Sequence, residues 1–175
     1  MPRQHYSAPL GKPVKLITAV AYCLLTLVTA AIVLSLQAGM PRPAGWAVLA
    51  VIGTMVLASF TLRVHGYALT DNCLVIRYGL WRRLVANSEM ISVTGNASEI
   101  FRGSTRLCAS GGWWSFLGVF RKPGTGKFKA YVSDISKSVL IVTASDRVVI
   151  SPADPERFIA DLRQEAPQLQ GPQTV

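Results

Sequence analysis

The sequence predicts a two-span transmembrane α-helical hairpin followed by an all-β domain of six or seven short strands closed by one C-terminal helix. Three observations carry this. Two uncharged apolar runs occupy residues 16–36 and 44–62. From residue 64 onward, short β-branched runs alternate with turn residues. Near the end, a single stripe of apolar residues recurs at helical spacing.

The first run, LITAVAYCLLTLVTAAIVLSL, and the second, AGWAVLAVIGTMVLASFTL, each match the ~20 apolar residues that cross a hydrocarbon core of about 30 Å. Between them lies QAGMPRP (37–43), whose Gly39, Pro41 and Pro43 break a continuous helix. A cleavable leader is the competing account of the first run. Its apolar stretch is longer than the usual 7–15 residues, and Leu36 occupies a position where cleavage wants a small side chain. Arg3, Lys12 and Lys15 flank one side and Arg63 the other, with Arg42 alone in the turn. Positive charge of this distribution places both termini in the cytoplasm of a multi-pass protein of the cytoplasmic membrane. Ala19, Ala21, Ala30 and Ala31 in the first span and Gly53, Ala58 and Ser59 in the second are small enough for close helix packing. Neither span carries a charged residue, so the pair reads as an anchor rather than a transport path.

After Arg63, HGYALT and CLVIRYG flank an Asp71-Asn72 hairpin turn. WRRLVANSEMISVTG is interrupted at ANSE. In KFKAYVS, Phe128, Ala130 and Val132 share one face, with Lys127, Lys129 and Tyr131 on the other. SVLIVTA and RVVIS surround a second hairpin at Ser145-Asp146. These runs assemble as a sandwich or barrel-like sheet. The final element opens with Asp154 as N-cap and Pro155 at the first helical position, and Pro167 ends it. Phe158, Ile159, Leu162 and Ala166 form its apolar stripe. Residues 1–15 are expected as a basic tail and 167–175 as a short disordered one.

Several of these segments together resemble the bacterial pleckstrin-homology (PH) domain proteins. They are YALTDNCLVIRYG (67–79), SEMISV (88–93), Arg106, Gly111-Gly112, Gly118-Val119-Phe120, GKFKAYVSD (126–134), VLIVT (139–143) and VISPADPERFIADL (149–162). The resemblance covers residues 64–165. It implies a PH-like domain of about seven antiparallel strands with one capping helix, placed in residues 64–166. It implies a membrane-tethered interaction role and no catalytic residues.

Charge adds a second theme. Four of the 18 basic residues (Arg3, Lys12, Lys15, Arg42) precede Arg63, leaving 14 against nine acids in the rest of the chain. Between Glu99 and Asp134 there are Arg102, Arg106, Arg121, Lys122, Lys127 and Lys129 and no acid, interleaved with Trp113, Trp114, Phe116 and Phe120. Arg77, Arg82 and Arg83 lie in the first hairpin region, where the resemblance to eukaryotic PH domains implies headgroup contacts. The candidate lipid or partner contacts are Arg82, Arg83, Trp113, Arg121, Lys122 and Lys127. Trp114, Phe116 and Phe120 are expected on the core face and Trp113 outward.

No metal, cofactor or catalytic site is expected. Cys23, Cys73 and Cys108 are scattered, with no CxxC pair. GTGK (124–127) lacks the first glycine of a phosphate loop, has Phe128 where Ser or Thr is required, and precedes a strand. Asp154 is accounted for as a cap, and no Ser/His/Asp or paired-carboxylate arrangement stands out. The leading expectation is therefore a non-enzymatic module that binds an unidentified protein or further copies of itself beside the bilayer. The alternative is an anionic-lipid sensor, and the third is an enzyme or a subunit supporting one. Membrane lipids are expected partners and nucleic acid is not, because the tether makes membrane phosphates the nearer polyanion.

Overall fold

The computed structural model describes residues 4–39, 41–61, 63–111 and 114–170. Two long helices, α1 (Lys12–Gln37) and α2 (Arg42–Phe60), stand on a β-domain. Their mean hydropathies over the most apolar windows are 2.4 and 1.8, and only 6% and 11% of those windows are buried. A core helix of a soluble protein would be mostly covered, and these two are not. By length, about 39 Å and 28 Å at 1.5 Å per residue, each is long enough to cross a membrane. They meet at their two ends. Leu36 packs where a side chain on Gly45 would stand, and the Tyr22 hydroxyl lies 2.9 Å from Ser59 Oγ. Gly53, expected in the contact, faces open space instead.

The β-domain holds two sheets. The first has the order β1 (Gln4–Ser7), β2 (Val64–Leu69), β3 (Cys73–Tyr78) and β4 (Trp81–Ala86), all antiparallel. The second contains β5 (Met90–Thr94), β6 (Thr105–Gly111), β7 (Phe116–Lys122), β8 (Gly126–Val132), β9 (Val139–Thr143) and β10 (Arg147–Ile150). Its spatial order is β5-β9-β10-β8-β7-β6.

This corrects three expectations. Among the described residues the domain from residue 64 onward holds nine strands rather than about seven, with β1 as a tenth, and one pair, β8 with β10, is parallel. After β8 the chain skips a slot to lay down β9, and the tight turn at residues 143–146 returns β10 into the gap. Apolar alternation fixes which side chains point inward, but not which strand becomes the neighbour. The second correction concerns residues 1–15. Residues 4–7 form a strand on β2, Gly11 N donates to Ser133 O at 2.9 Å, and Val14 is fully buried. Because β1 precedes α1 and β2 follows α2, both ends of the helical hairpin are stitched into one sheet. The third is the C-terminal tail. Pro167–Gln170 forms a 3-10 turn whose Leu169 is 3% exposed; residues 171–175 lie outside the described residues.

The second sheet is covered on both faces. One side meets the first sheet and the closing helix α3 (Pro155–Glu165) through Leu74, Ile76, Ile141, Val148, Phe158 and Leu162. The other side is covered by residues 97–101 and the start of α1, whose Ile100 and Val14 cluster with Phe116, Phe120 and Phe128. α3 forms as its sequence dictates. Asp154 Oδ1 accepts from Arg157 N at 3.1 Å, Pro155 opens the first turn, and Phe158, Leu162 and Ala166 are buried. Tyr67 ties the two sheets together, donating to Tyr131 O at 2.7 Å and accepting from Ser151 N at 3.0 Å. Burial pushes its hydroxyl up to about 12. Tyr6 of β1 packs edge-on against Phe158 and donates to the Asp161 carboxylate; burial first, and then Asp161, raises its pKa.

Candidate functional site

The end of the β-domain next to the helices is built around Trp114. Its backbone sits at φ +64°, a left-handed conformation that costs a bulky residue about 1–3 kcal/mol. The cost is met by a dense set of contacts. Trp114 N donates to Thr18 Oγ1 of α1 at 3.3 Å, and the indole Nε1 donates to Ser59 Oγ of α2 at 3.4 Å. The indole lies 5.6 Å from the Phe60 ring and 6.0 Å from Tyr22, with the Arg63 guanidinium 5.4 Å from its centroid. Trp114 therefore docks on the helical hairpin and not in the core of the sheet, as its alternation with Phe116 and Phe120 suggests. Phe116 and Phe120 are buried as expected. Trp113 lies outside the described residues.

A second contact at this end is the β3–β4 hairpin. Tyr78 and Trp81 are paired, so its turn is Gly79-Leu80. Gly79 N donates to Arg63 O at 2.8 Å, and a Cβ at Gly79 would stand 2.1 Å from the Thr61 carbonyl oxygen. With φ at +51° as well, only glycine fits. The turn is pinned to the residues that follow α2. Beyond it, Leu80 is 86% exposed and Trp81 63%. Arg77 and Arg82 are directly opposite each other on the outer face, both exposed, and no ion pair reaches either among the described residues. Such a pair holds its Cβ atoms about 5 Å apart, and like charges there repel.

The structure does not gather the candidate basic residues on one surface. Arg82 is on the outer face of the first sheet. Arg83, on the inner face, bridges to the second sheet: NH1 donates to Tyr131 OH at 3.1 Å and NH2 pairs with Asp146 at 2.7 Å. Lys129 Nζ approaches the same carboxylate at 2.8 Å. The Lys129 hydrogen bond, followed by that of Arg83, holds the Asp146 carboxyl below the usual carboxylate range, although partial burial opposes the shift. Arg83 is thus a structural tie. Arg121 and Lys127 are opposite one another on β7 and β8, exposed, at the end of the sheet far from the helices. Arg121 is five residues beyond Phe116, about 16 Å along the strand. Lys122 points to the other face, where it donates to the Glu99 carbonyl. The Pro123–Thr125 stretch is a plain hairpin loop between β7 and β8.

The residues the sequence did not nominate are Gly79, Leu80 and Trp81. A signal for them exists in YGLWRR (78–83): an apolar residue placed at a two-residue turn, in a segment without acid from residue 72 to 88. Among the described residues there is no group of three His, Cys, Asp or Glu side chains able to hold a metal ion.

The fold is thus a β-domain closed by a C-terminal helix and seated on an apolar helical hairpin. Residues 65–166 match the family model of the bacterial PH domain, in agreement with the resemblance over 64–165. The chain belongs to the bacterial PH-domain family. No curated protein and no solved structure matches it. PH-like domains are typically interaction modules for protein or lipid.

Proposed function

We propose that this chain is a membrane-tethered, non-enzymatic interaction module. α1 and α2 cross the cytoplasmic membrane as a hairpin with both termini in the cytoplasm, and the PH domain takes a β-strand from a protein partner or a second copy. The observation that carries this is the free edge of β4. Nothing among the described residues pairs with its outer side, its six residues contain no proline, and its pairing with β3 runs without a bulge. Leu84 on the outer face of this edge is 60% exposed, and Trp81 on the opposite face 63%. An uninterrupted edge with exposed apolar side chains is a template for strand addition. The orientation is supported by Lys12, Lys15 and Arg63 at one end of the hairpin against Arg42 at the other.

The test is the mass of the full chain purified in native-lipid particles, with and without Leu84→Lys, a charge that natural edge strands use to block pairing. The wild type is expected to run as an oligomer or with a bound protein, and the variant as a monomer of unchanged fold. A wild type that is monomeric and alone at all concentrations would sink this function.

A second function, contact with anionic lipid, is favoured by a different set of residues from Arg121, Lys122 and Lys127. Those stand about 16 Å along the strand from the helix-side end of β7, beyond the ~8–10 Å over which salt leaves surface charges interacting. Arg63, Arg77 and Arg82 stand beside the helix ends instead.

A further inference from the structure

We propose that the β3–β4 turn is an interfacial wedge, in which Leu80 and Trp81 enter the boundary between headgroups and acyl chains while Arg77 and Arg82 contact the lipid phosphates. This rests on α1 and α2 spanning a bilayer.

Position is the first argument. Arg63 O accepts from Gly79 N at 2.8 Å, and the Gly79 backbone packs on the Thr61 carbonyl, so the turn stands where α2 ends at Phe60. If α2 crosses a membrane, that level is where the chain leaves the hydrocarbon. Side-chain chemistry is the second. Leu80 is the most exposed large apolar side chain among the described residues, and Trp81 beside it belongs to the residue type concentrated at membrane–water interfaces. Leu80 has no place in the domain core, and Trp81 meets it only at its margin, with its ring centroid 6.5 Å from that of Tyr78, so most of both side chains stays exposed.

Charge is the third. Arg77 and Arg82 repel one another across the strand pair and meet no carboxylate among the described residues, an arrangement that a shared anion relieves. The bilayer beside α2 supplies phosphates at that height. Arg121 and Lys127 have the half-exposed Leu107 of β6 as neighbour but no helix end beside them, so they lack the other half of the device.

The experiment uses the full chain with Cys23, Cys73 and Cys108 changed to alanine, carrying one spin label at a time through Leu80→Cys, Leu24→Cys in α1, or Thr125→Cys at the far loop. Each is reconstituted in phosphatidylcholine vesicles with and without phosphatidylglycerol. Collision with oxygen relative to a water-soluble nickel complex reports depth. The label at 80 is expected between the other two, with a ratio several-fold above that at 125. Its ratio falls towards that at 125 in Arg77→Ala/Arg82→Ala or without phosphatidylglycerol. A label at 80 as aqueous as that at 125, while 24 is deep, overturns the wedge and leaves the spans standing. A label at 80 shielded from both reagents also overturns it, in favour of a protein contact. An aqueous label at 24 defeats the spanning helices and the wedge with them.

Discussion

The two ends of the β-domain carry similar charge and use it differently. Away from the helix ends, Arg83 and Lys129 converge on Asp146, and Arg121 faces Lys127 across a hairpin whose exposed large apolar neighbour is the half-exposed Leu107 of β6. At the end beside the helices, Arg77 and Arg82 are unpaired among the described residues, next to the exposed Leu80 and Trp81. Here Trp114 and Gly79 also lock the domain to α1 and α2. Residue counts treat the two ends alike. Geometry separates them, because only one end combines cations, exposed apolar surface and the helix termini.

The strongest way to break that comparison is Gly79→Ala. The new methyl would overlap the Thr61 carbonyl, in a backbone conformation that alanine disfavours. A loss of about 3 kcal/mol is expected in denaturant unfolding of the full chain, with increased hydrogen exchange beginning at residues 61–66. Trp114→Ala comes next, at about 2 kcal/mol, since a half-buried tryptophan loses part of what a fully buried one contributes. Trp114→Gly should be milder in spite of removing the same ring, because glycine accepts φ +64°. Equal losses for the two variants would show that the backbone strain is not real.

At the far end, Asp146→Asn is expected to cost about 1 kcal/mol at neutral pH, leaving Arg83 and Lys129 as uncompensated neighbours. Asp146 is held below its ordinary pKa, so its contribution is present above the unfolded carboxylate value near pH 4. It is lost as pH falls through the lower folded value. Unfolding curves of wild type and variant should therefore converge in acid. The smallest effect belongs to Arg121→Ala/Lys127→Ala, within about 0.5 kcal/mol in stability and without change in vesicle association. Strong loss of association in that double variant would move the lipid contact to the far end.

What the sequence announced and what it withheld follow a physical division. α3 was legible because its signals are local: Asp154, Pro155 and the stripe Phe158, Leu162, Ala166 lie within one segment. The turns at Asp71-Asn72 and Ser145-Asp146 were legible for the same reason. The strand formed by residues 4–7 was not, because QHYS gains its place only through β2, some sixty residues away in sequence. The parallel β8–β10 pair was hidden likewise, since alternation defines a face and not a neighbour. Trp114 misled because period-two reasoning assumes a regular strand, and its left-handed φ turns the indole out of the sheet towards Ser59. Arg83 shows the limit for charge: Arg82 and Arg83 are adjacent in sequence, yet one faces outward and the other joins the two sheets.

Site-specific photo-crosslinking in native membranes tests the central claim most directly, with a benzophenone side chain replacing Leu84 on the β4 edge or Thr125 at the far loop. Strand addition at β4 predicts an adduct of one discrete mass from position 84, either twice the chain or the chain plus one partner. Little or no adduct is expected from position 125. The absence of any adduct at 84, or equal yields of the same adducts at both positions, would contradict it.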